Sequence, residues 1–529
     1  MDASQGVLLS SSLSSLVGGG GGGGAKASAS WPELLGSANW DGLLEPLDLT
    51  LRRLILLCGD LCQVTYDSFN SDPNSKYSGS CRYSMSTLFA RTQFPAAADI
   101  SPAAYLYATS VESFPGGVMV FSLSREAWSK ESNWIGYVAV STDAAAAATG
   151  QRVIYIAWRG TIRTLEWVDV LKPELVDPDV ILPEGDPARG QARVMKGWYL
   201  IYTSSDERSP FSKYSARDQL LAAVRELVAR YKGESLSIVC TGHSLGASLA
   251  TLSAFDIVVN GVSKVGGADI PVTAVVFGSP QIGNPEFKKR FEELPSLRAL
   301  RVRNTPDVIP LYPSGLLGFE NVGQLLTIDS NKSPYVKHDS TNLGDYHNLQ
   351  GMLHTVAGWN GKDGEFKLQV NRSVALVNKS SAFLNDDNLV PESWWVERNK
   401  GMVIGENGLW ELEPPAEENM PVAPVVTGKI VDDDVAATTT ITASKETTTT
   451  PTEEKKGPAG NYPLAHSLCL DKPSVWQNSD QEYTCNIIDG VAAVPQARSA
   501  QRPPAAGVPD HGPAQTTSEA TPRHATALY

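Results

Sequence analysis

Cys240-Thr241-Gly242-His243-Ser244-Leu245-Gly246-Ala247 has the form G-x-S-x-G and joins two segments of opposite character. Residues 235–240 (SLSIVC) read as a short buried strand, and residues 247–254 (ASLATLSA) as a helix with small residues on one face. A strand that turns through a glycine-flanked serine into a helix forms a nucleophile elbow. Such a turn strains the serine backbone and exposes its hydroxyl at the top of a sheet. Gly242 and Gly246 suit it, because a side chain at either position would collide where strand and helix cross. A glycine-rich surface turn also satisfies the bare pattern; the strand-turn-helix context argues against it.

A serine at its free pKa is a poor nucleophile and needs a base, usually an imidazole oriented by a carboxylate. The chain has seven histidines. His466, His511 and His524 fall in a low-complexity tail, and His243 reads as a packing or hydrogen-bonded neighbour whose side chain the turn sends away from the serine. In elbows of this kind the acid follows the serine and the histidine comes last. Residues 297–303 (LRALRVR) alternate like a strand and run into Asn304-Thr305-Pro306-Asp307-Val308-Ile309-Pro310. That places Asp307 at the carboxyl end of a strand, where open α/β sheets carry functional groups; the alternative is a turn residue after proline. His347 opens a segment with Leu349, Met352, Leu353 and Val356 at helical spacing, so it stands at a loop-to-helix junction. His354 lies two turns further along and reads as core, and His338 reads as solvated. Geometry favours His347 as the base.

The alkoxide that Ser244 generates requires an oxyanion hole. One N–H is expected from Leu245, directly after the nucleophile, and a second from an earlier strand end. Residues 153–157 (VIYIA) are the clearest strand in the chain and lead into Trp158-Arg159-Gly160-Thr161, which makes Thr161 the second candidate. An ordinary strand end with a glycine turn is the alternative there.

Further strands are expected at 134–140 and 272–277, with an alanine-rich loop over 143–150. Helices are expected at 51–64 and 216–231; the second puts Leu220, Leu221, Val224, Leu227, Val228 and Tyr231 on one face. Strands alternating with helices predict an α/β class protein with a mostly parallel sheet flanked by helices.

Several of these stretches carry a resemblance. Trp158-Arg159-Gly160-Thr161, Gly242-His243-Ser244-Leu245-Gly246, Phe277-Gly278-Ser279-Pro280 with Gly283-Asn284, the Asp307 loop and the His347 helix resemble the class 3 lipases, which have the α/β-hydrolase fold. Residues 31–40 (WPELLGSANW), 42–48 (GLLEPLD), Tyr66-Asp67 with Phe69-Asn70, and 387–395 (DNLVPESWW) are similar to the plant phospholipase A1 type II subgroup. The resemblance covers residues 31–413. It implies a Ser244, Asp307, His347 triad that hydrolyses the sn-1 acyl ester of glycerophospholipids without metal or cofactor. The same triad would also serve a galactolipid or neutral glyceride lipase, since the pocket sets the substrate. A catalytically silent lipase-like scaffold would be expected to lack a triad residue, and all three are present.

The remaining sequence bounds the setting. Residues 1–30 are Ser/Gly-rich and 414–529 carry threonine-rich and Pro/Ala-rich stretches without hydrophobic period. Both read as disordered segments around one large domain at 31–413. Six irregularly spaced cysteines do not make a disulfide framework, and Cys58 and Cys62 read as core positions on a helix. A formal charge of −14 gives no basic surface for nucleic acid, so the expected partner is a membrane or micellar lipid met through local apolar contact. No transmembrane segment is expected, because no run approaches 18 apolar residues. The start lacks a basic n-region, which points to the cytoplasm, with a plastid transit peptide as the alternative. Residues 164–181 and 311–319 are candidate substrate-contact segments. In the second, inward packing of the leucines is the expected arrangement and contact with lipid the alternative.

Overall fold

Seven strands form one sheet whose spatial order follows the chain. They are β1 (Ile100–Ala108), β2 (Asn133–Ser141), β3 (Arg152–Trp158), β4 (Leu236–His243), β5 (Val272–Phe277), β6 (Leu297–Asn304) and β7 (Gln324–Ile328). β1, β2 and β3 pair antiparallel, and every later pair is parallel. The computed structural model describes residues 29–109, 132–161, 173–209, 211–395, 402–413, 419–422 and 424. β3, β4 and β5 are buried along their whole length, as parallel strands covered on both faces must be.

The helices are α1 (Leu49–Asp67), α2 (Asp143–Thr149), α3 (Lys196–Thr203), α4 (Ala216–Arg230), α5 (Leu245–Val259), α6 (Pro285–Glu293) and α7 (Leu349–Gly358). Sequential parallel strands joined by crossovers of one hand put the connecting helices on one face. Accordingly α3, α4, α5 and α6 share a core with Ile238, Cys240, Ala274 and Val276. The opposite face receives helices from outside the crossovers: α1, which precedes the sheet, and α7, which follows it, pack with Val239, Val275 and Leu300. Side chains alternate along β4 between the two layers, the period-2 rule of a strand.

Local chemistry starts and ties these helices. Asp48 accepts from the N–H groups of Thr50 (2.8 Å) and Leu51 (3.0 Å) at the start of α1. Asn348 accepts from Gln350 and Gly351 at the start of α7. Beyond α7, Arg372 pairs with Asp60 at 2.8 Å and Lys379 with Asp67 at 2.6 Å, tying the late chain to α1.

The structure departs from the sequence reading in three places. The 143–150 stretch is the helix α2, not a loop; Thr142 caps it and Gly150, at φ +68°, ends it, while its alanines are the strongest helix formers. The edge strands β1 and β7 were not anticipated. Pro102 breaks the pattern of β1 and is tolerated beside a bulge on an edge. The domain also continues past 413: Asn419 is buried, accepts from Met85 N–H and donates to the Tyr83 carbonyl. The tail reading from 425 onward and the leader reading over 1–28 lie outside the described residues.

Candidate active site

β4 ends at His243 and α5 begins at Leu245, so the turn between them is the single residue Ser244. Its backbone stands at φ +59°, ψ −128°, a region that disfavours any side chain, and its N–H donates to the Phe277 carbonyl at 3.0 Å. The flanking glycines make this crossing possible. A Cβ on Gly242 would lie 2.1 Å from the Gly246 carbonyl oxygen, and one on Gly246 would lie 2.4 Å from that of Trp158. Trp158 is also the β3 partner of Gly242, so the end of β3 is level with the elbow.

The acid and the base arrive from two separate segments that follow the elbow in the chain. After β6, Asp307 closes a turn onto the Asn304 carbonyl, and its Oδ1 accepts from the Ile309 N–H at 2.9 Å. Its Oδ2 lies 2.7 Å from His347 Nδ1, with both side chains buried. A carboxylate oxygen only accepts, so Nδ1 carries the hydrogen, and in the neutral ring the lone pair is on Nε2. Gly278, at φ +54°, lines this pair: a Cβ there would stand 2.8 Å from His347 Cε1 and 3.1 Å from Asp307 Oδ2. Ser244, Asp307 and His347 therefore meet around the Phe277–Gly278 corner. Among the described residues neither Ser244 Oγ nor His347 Nε2 has a hydrogen-bond partner, although both are buried. A hydroxyl and an imidazole nitrogen left open around the same corner suit proton transfer and attack on a carbonyl carbon.

Sequence reasoning assigned no role to two residues that position this site. Asn304 donates to the Tyr346 carbonyl at 2.9 Å and accepts from the Ser330 N–H, holding the chain just before His347. Gly278 provides the space for the imidazole; its signals were a glycine directly after a buried strand and its place in the Phe277-Gly278-Ser279-Pro280 stretch that resembles the class 3 lipases. The other histidines behave differently. His338 is exposed, and His354 is buried against Ser333 at 2.8 Å. His243 is buried, yet its ring lies against that of His347, with centroids 4.5 Å apart.

The oxyanion candidates stand where β3 and β4 meet. Leu245 is the first residue of α5, so its N–H has no acceptor within the helix and lies at the positive end of the helix dipole. Thr161 is buried, and its hydroxyl has no partner among the described residues. The Arg159 guanidinium lies 3.8 Å above the Phe69 ring and donates to the Trp134 and Gly160 carbonyls, stiffening this turn. Burial lowers its pKa to about 10. Of the first candidate contact segment, Trp167, Val170 and Leu171 lie outside the described residues. The second differs from expectation: Phe319 packs inward, but Leu311, Leu316 and Leu317 face outward, Leu316 with 98 % of its surface exposed. The 3₁₀ turn Gly315–Leu317 has no buried residue, so nothing draws these side chains to the core.

Residues 155–316 match the family model described as Lipase (class 3). The chain is 79% identical over 434 residues to "Phospholipase A1-II 5" of Oryza sativa subsp. indica, covering 82% of this chain and 90% of that protein. It is 51% identical over 414 residues to "Phospholipase A1-IIdelta" of Arabidopsis thaliana, covering 75% and 99%. Against "Phospholipase A1-II 1" of Oryza sativa subsp. indica the identity is 45% over 391 residues, covering 72% and 95%.

Proposed function

This chain belongs to the class 3 lipases, in the plant phospholipase A1 type II group, and from that premise we propose that it hydrolyses the sn-1 acyl ester of glycerophospholipids. Ser244 Oγ attacks the ester carbonyl while His347 Nε2 takes the hydroxyl proton. The new C–O bond leaves a tetrahedral oxyanion facing the N–H groups of Leu245 and Thr161, each donor contributing about 3–4 kcal/mol. Asp307 keeps the imidazole in the tautomer that accepts and stabilises the imidazolium. Collapse breaks the bond to the glycerol oxygen, which receives the proton from His347, and leaves an acyl-enzyme. Water, deprotonated by the same nitrogen, attacks the acyl carbon; the C–O bond to Ser244 breaks, Ser244 Oγ takes the proton back from His347 Nε2, and the fatty acid leaves.

The observation that carries this reading is the Asp307–His347 contact of 2.7 Å beside an unpartnered serine hydroxyl on a strained elbow. The test is product analysis on a phospholipid with different acyl chains at sn-1 and sn-2. Wild type is expected to release the sn-1 chain and leave a 2-acyl lysolipid, and Ser244→Ala to release nothing. Equal release by both proteins rules out Ser244 as the nucleophile. A wild type that spares phospholipids but cleaves galactolipids or glycerides redirects the substrate assignment.

The proposed location is the cytoplasm. All four described cysteines are free and buried, which accords with a reducing compartment. Imaging of a fluorescent fusion of the full chain tests this, and a plastid signal overturns it.

A further inference from the structure

The carboxylate of Asp307 sets the rotation of the His347 ring, but the ring also has to be held at the right distance from the elbow. His347 lies in a break, after the short turn Leu343–Tyr346 and just before Asn348, the N-cap of α7. Side chains from elsewhere hold it there. Asn304 takes the carbonyl before it, and His243 Nε2 lies 2.8 Å from the carbonyl of His347 itself. A carbonyl only accepts, so His243 Nε2 carries the hydrogen and His243 Nδ1 is bare. The bare nitrogen lies 2.7 Å from the Tyr66 hydroxyl, which therefore donates to it. Tyr66 is in the last turn of α1, and the next residue, Asp67, is clamped by Gln63 and Lys379. Gly160 also lies close against the Tyr66 hydroxyl: a Cβ on Gly160 would lie 2.1 Å from that oxygen and 2.6 Å from the His243 carbonyl.

We propose that Tyr66 and His243 are positioning residues for the reaction: the chain Tyr66 Oη–H to His243 Nδ1, then His243 Nε2–H to the His347 carbonyl, locks base, elbow and oxyanion turn into one unit. The inference rests on the serine-hydrolase reading above. Each link touches the neighbour of a reacting group: His243 precedes Ser244, Gly160 precedes Thr161, and the relay ends on the main chain of His347. Burial, and then the charge that His347 gains, hold the His243 imidazole well below its ordinary pKa. It therefore keeps one tautomer and does not compete for the proton leaving Ser244.

The test uses the full chain and a fluorophosphonate, which labels an activated serine without a lipid substrate, alongside kcat and KM on phospholipid. Tyr66→Phe is expected to slow labelling and kcat together by roughly tenfold to a hundredfold, the scale of a small misplacement of reacting groups, with KM within about twofold. His243→Leu, which removes both links, is expected to lose at least as much. His243→Gln, which retains an N–H for the His347 carbonyl, is expected to recover part of that loss. Circular dichroism gives the folded fraction of each variant. Folded Tyr66→Phe or His243→Leu reacting at the wild-type rate overturns the inference. A wild type that does not label at all, while remaining folded, overturns the serine-hydrolase reading instead.

Discussion

Asp307 uses one carboxylate oxygen to orient His347 and the other to close its own turn on Ile309. Asp307→Asn preserves the size of the side chain and can retain the turn contact, but it no longer fixes the hydrogen on His347 Nδ1. The expected outcome is a loss in kcat of roughly 10⁴-fold with the fold intact, read by steady-state kinetics and circular dichroism. His354 makes a prediction about stability. Its burial, and then the charge of Arg372, lower its pKa to about 4 from an ordinary 6.5. Below pH 6.5 the unfolded chain binds this proton and the folded chain does not. Stability from this group is thus complete above pH 6.5 and declines as pH falls toward 4, by about 3 kcal/mol in all. His243, lowered in the same direction, adds to the trend. Melting temperature should fall over this window, and His354→Gln should flatten the fall.

At the level of elements, the loop after Asp307 combines two features. Residues 308–319 contain no charged side chain, and Val308, Leu311, Leu316 and Leu317 are exposed. An apolar patch next to a site that acts on lipid suits contact with a lipid surface, and a chain of charge −14 would gain little there from electrostatics. The double substitution Leu316→Asp with Leu317→Asp should lower hydrolysis of phospholipid vesicles several-fold while a dissolved short-chain ester is turned over as before. Vesicle sedimentation with matched kinetics checks this. The direction of these leucines was not legible beforehand: apolar residues beside a core usually pack inward, and only the shape of the turn decides otherwise. The Asp143–Thr149 helix was missed for a different reason, since five alanines have no amphipathic period while their intrinsic propensity suffices once Thr142 caps the start.

The described residues form two helical layers on a sheet whose strands follow chain order, and the two layers have different origins. The crossovers build one; α1 and α7, from either end of the domain, build the other and deliver Tyr66 and His347 to the elbow. The domain closes beyond the last residue of the recognisable pattern, because Asn419 is buried against Tyr83 and Met85 and Val422 packs on the first core. Truncation after residue 424 should leave turnover and melting temperature unchanged. Truncation after 413 should lower the melting temperature, because the half-buried Met85 N–H loses its Asn419 acceptor, at a cost of about 1 kcal/mol, and the packing of Val422 is lost as well. Thermal melts of the two proteins, with activity measured alongside, decide it.

The elbow, the order of serine, acid and base, and the alternation of strands and helices were determined by the sequence alone. They rest on local causes: glycines where side chains cannot fit, strand ends marked by proline, and apolar residues at fixed periods. Tertiary structure decided what depends on distant segments meeting. Gly278 against His347, Asn304 on the Tyr346 carbonyl, and Tyr66 bonded to a histidine 177 positions away have no local signature. The same holds for His243. Its sequence neighbour Ser244 suggested a packing residue directed away from the site, yet the packing of α1 and α7 on one face of the sheet puts its ring between Tyr66 and the main chain of His347.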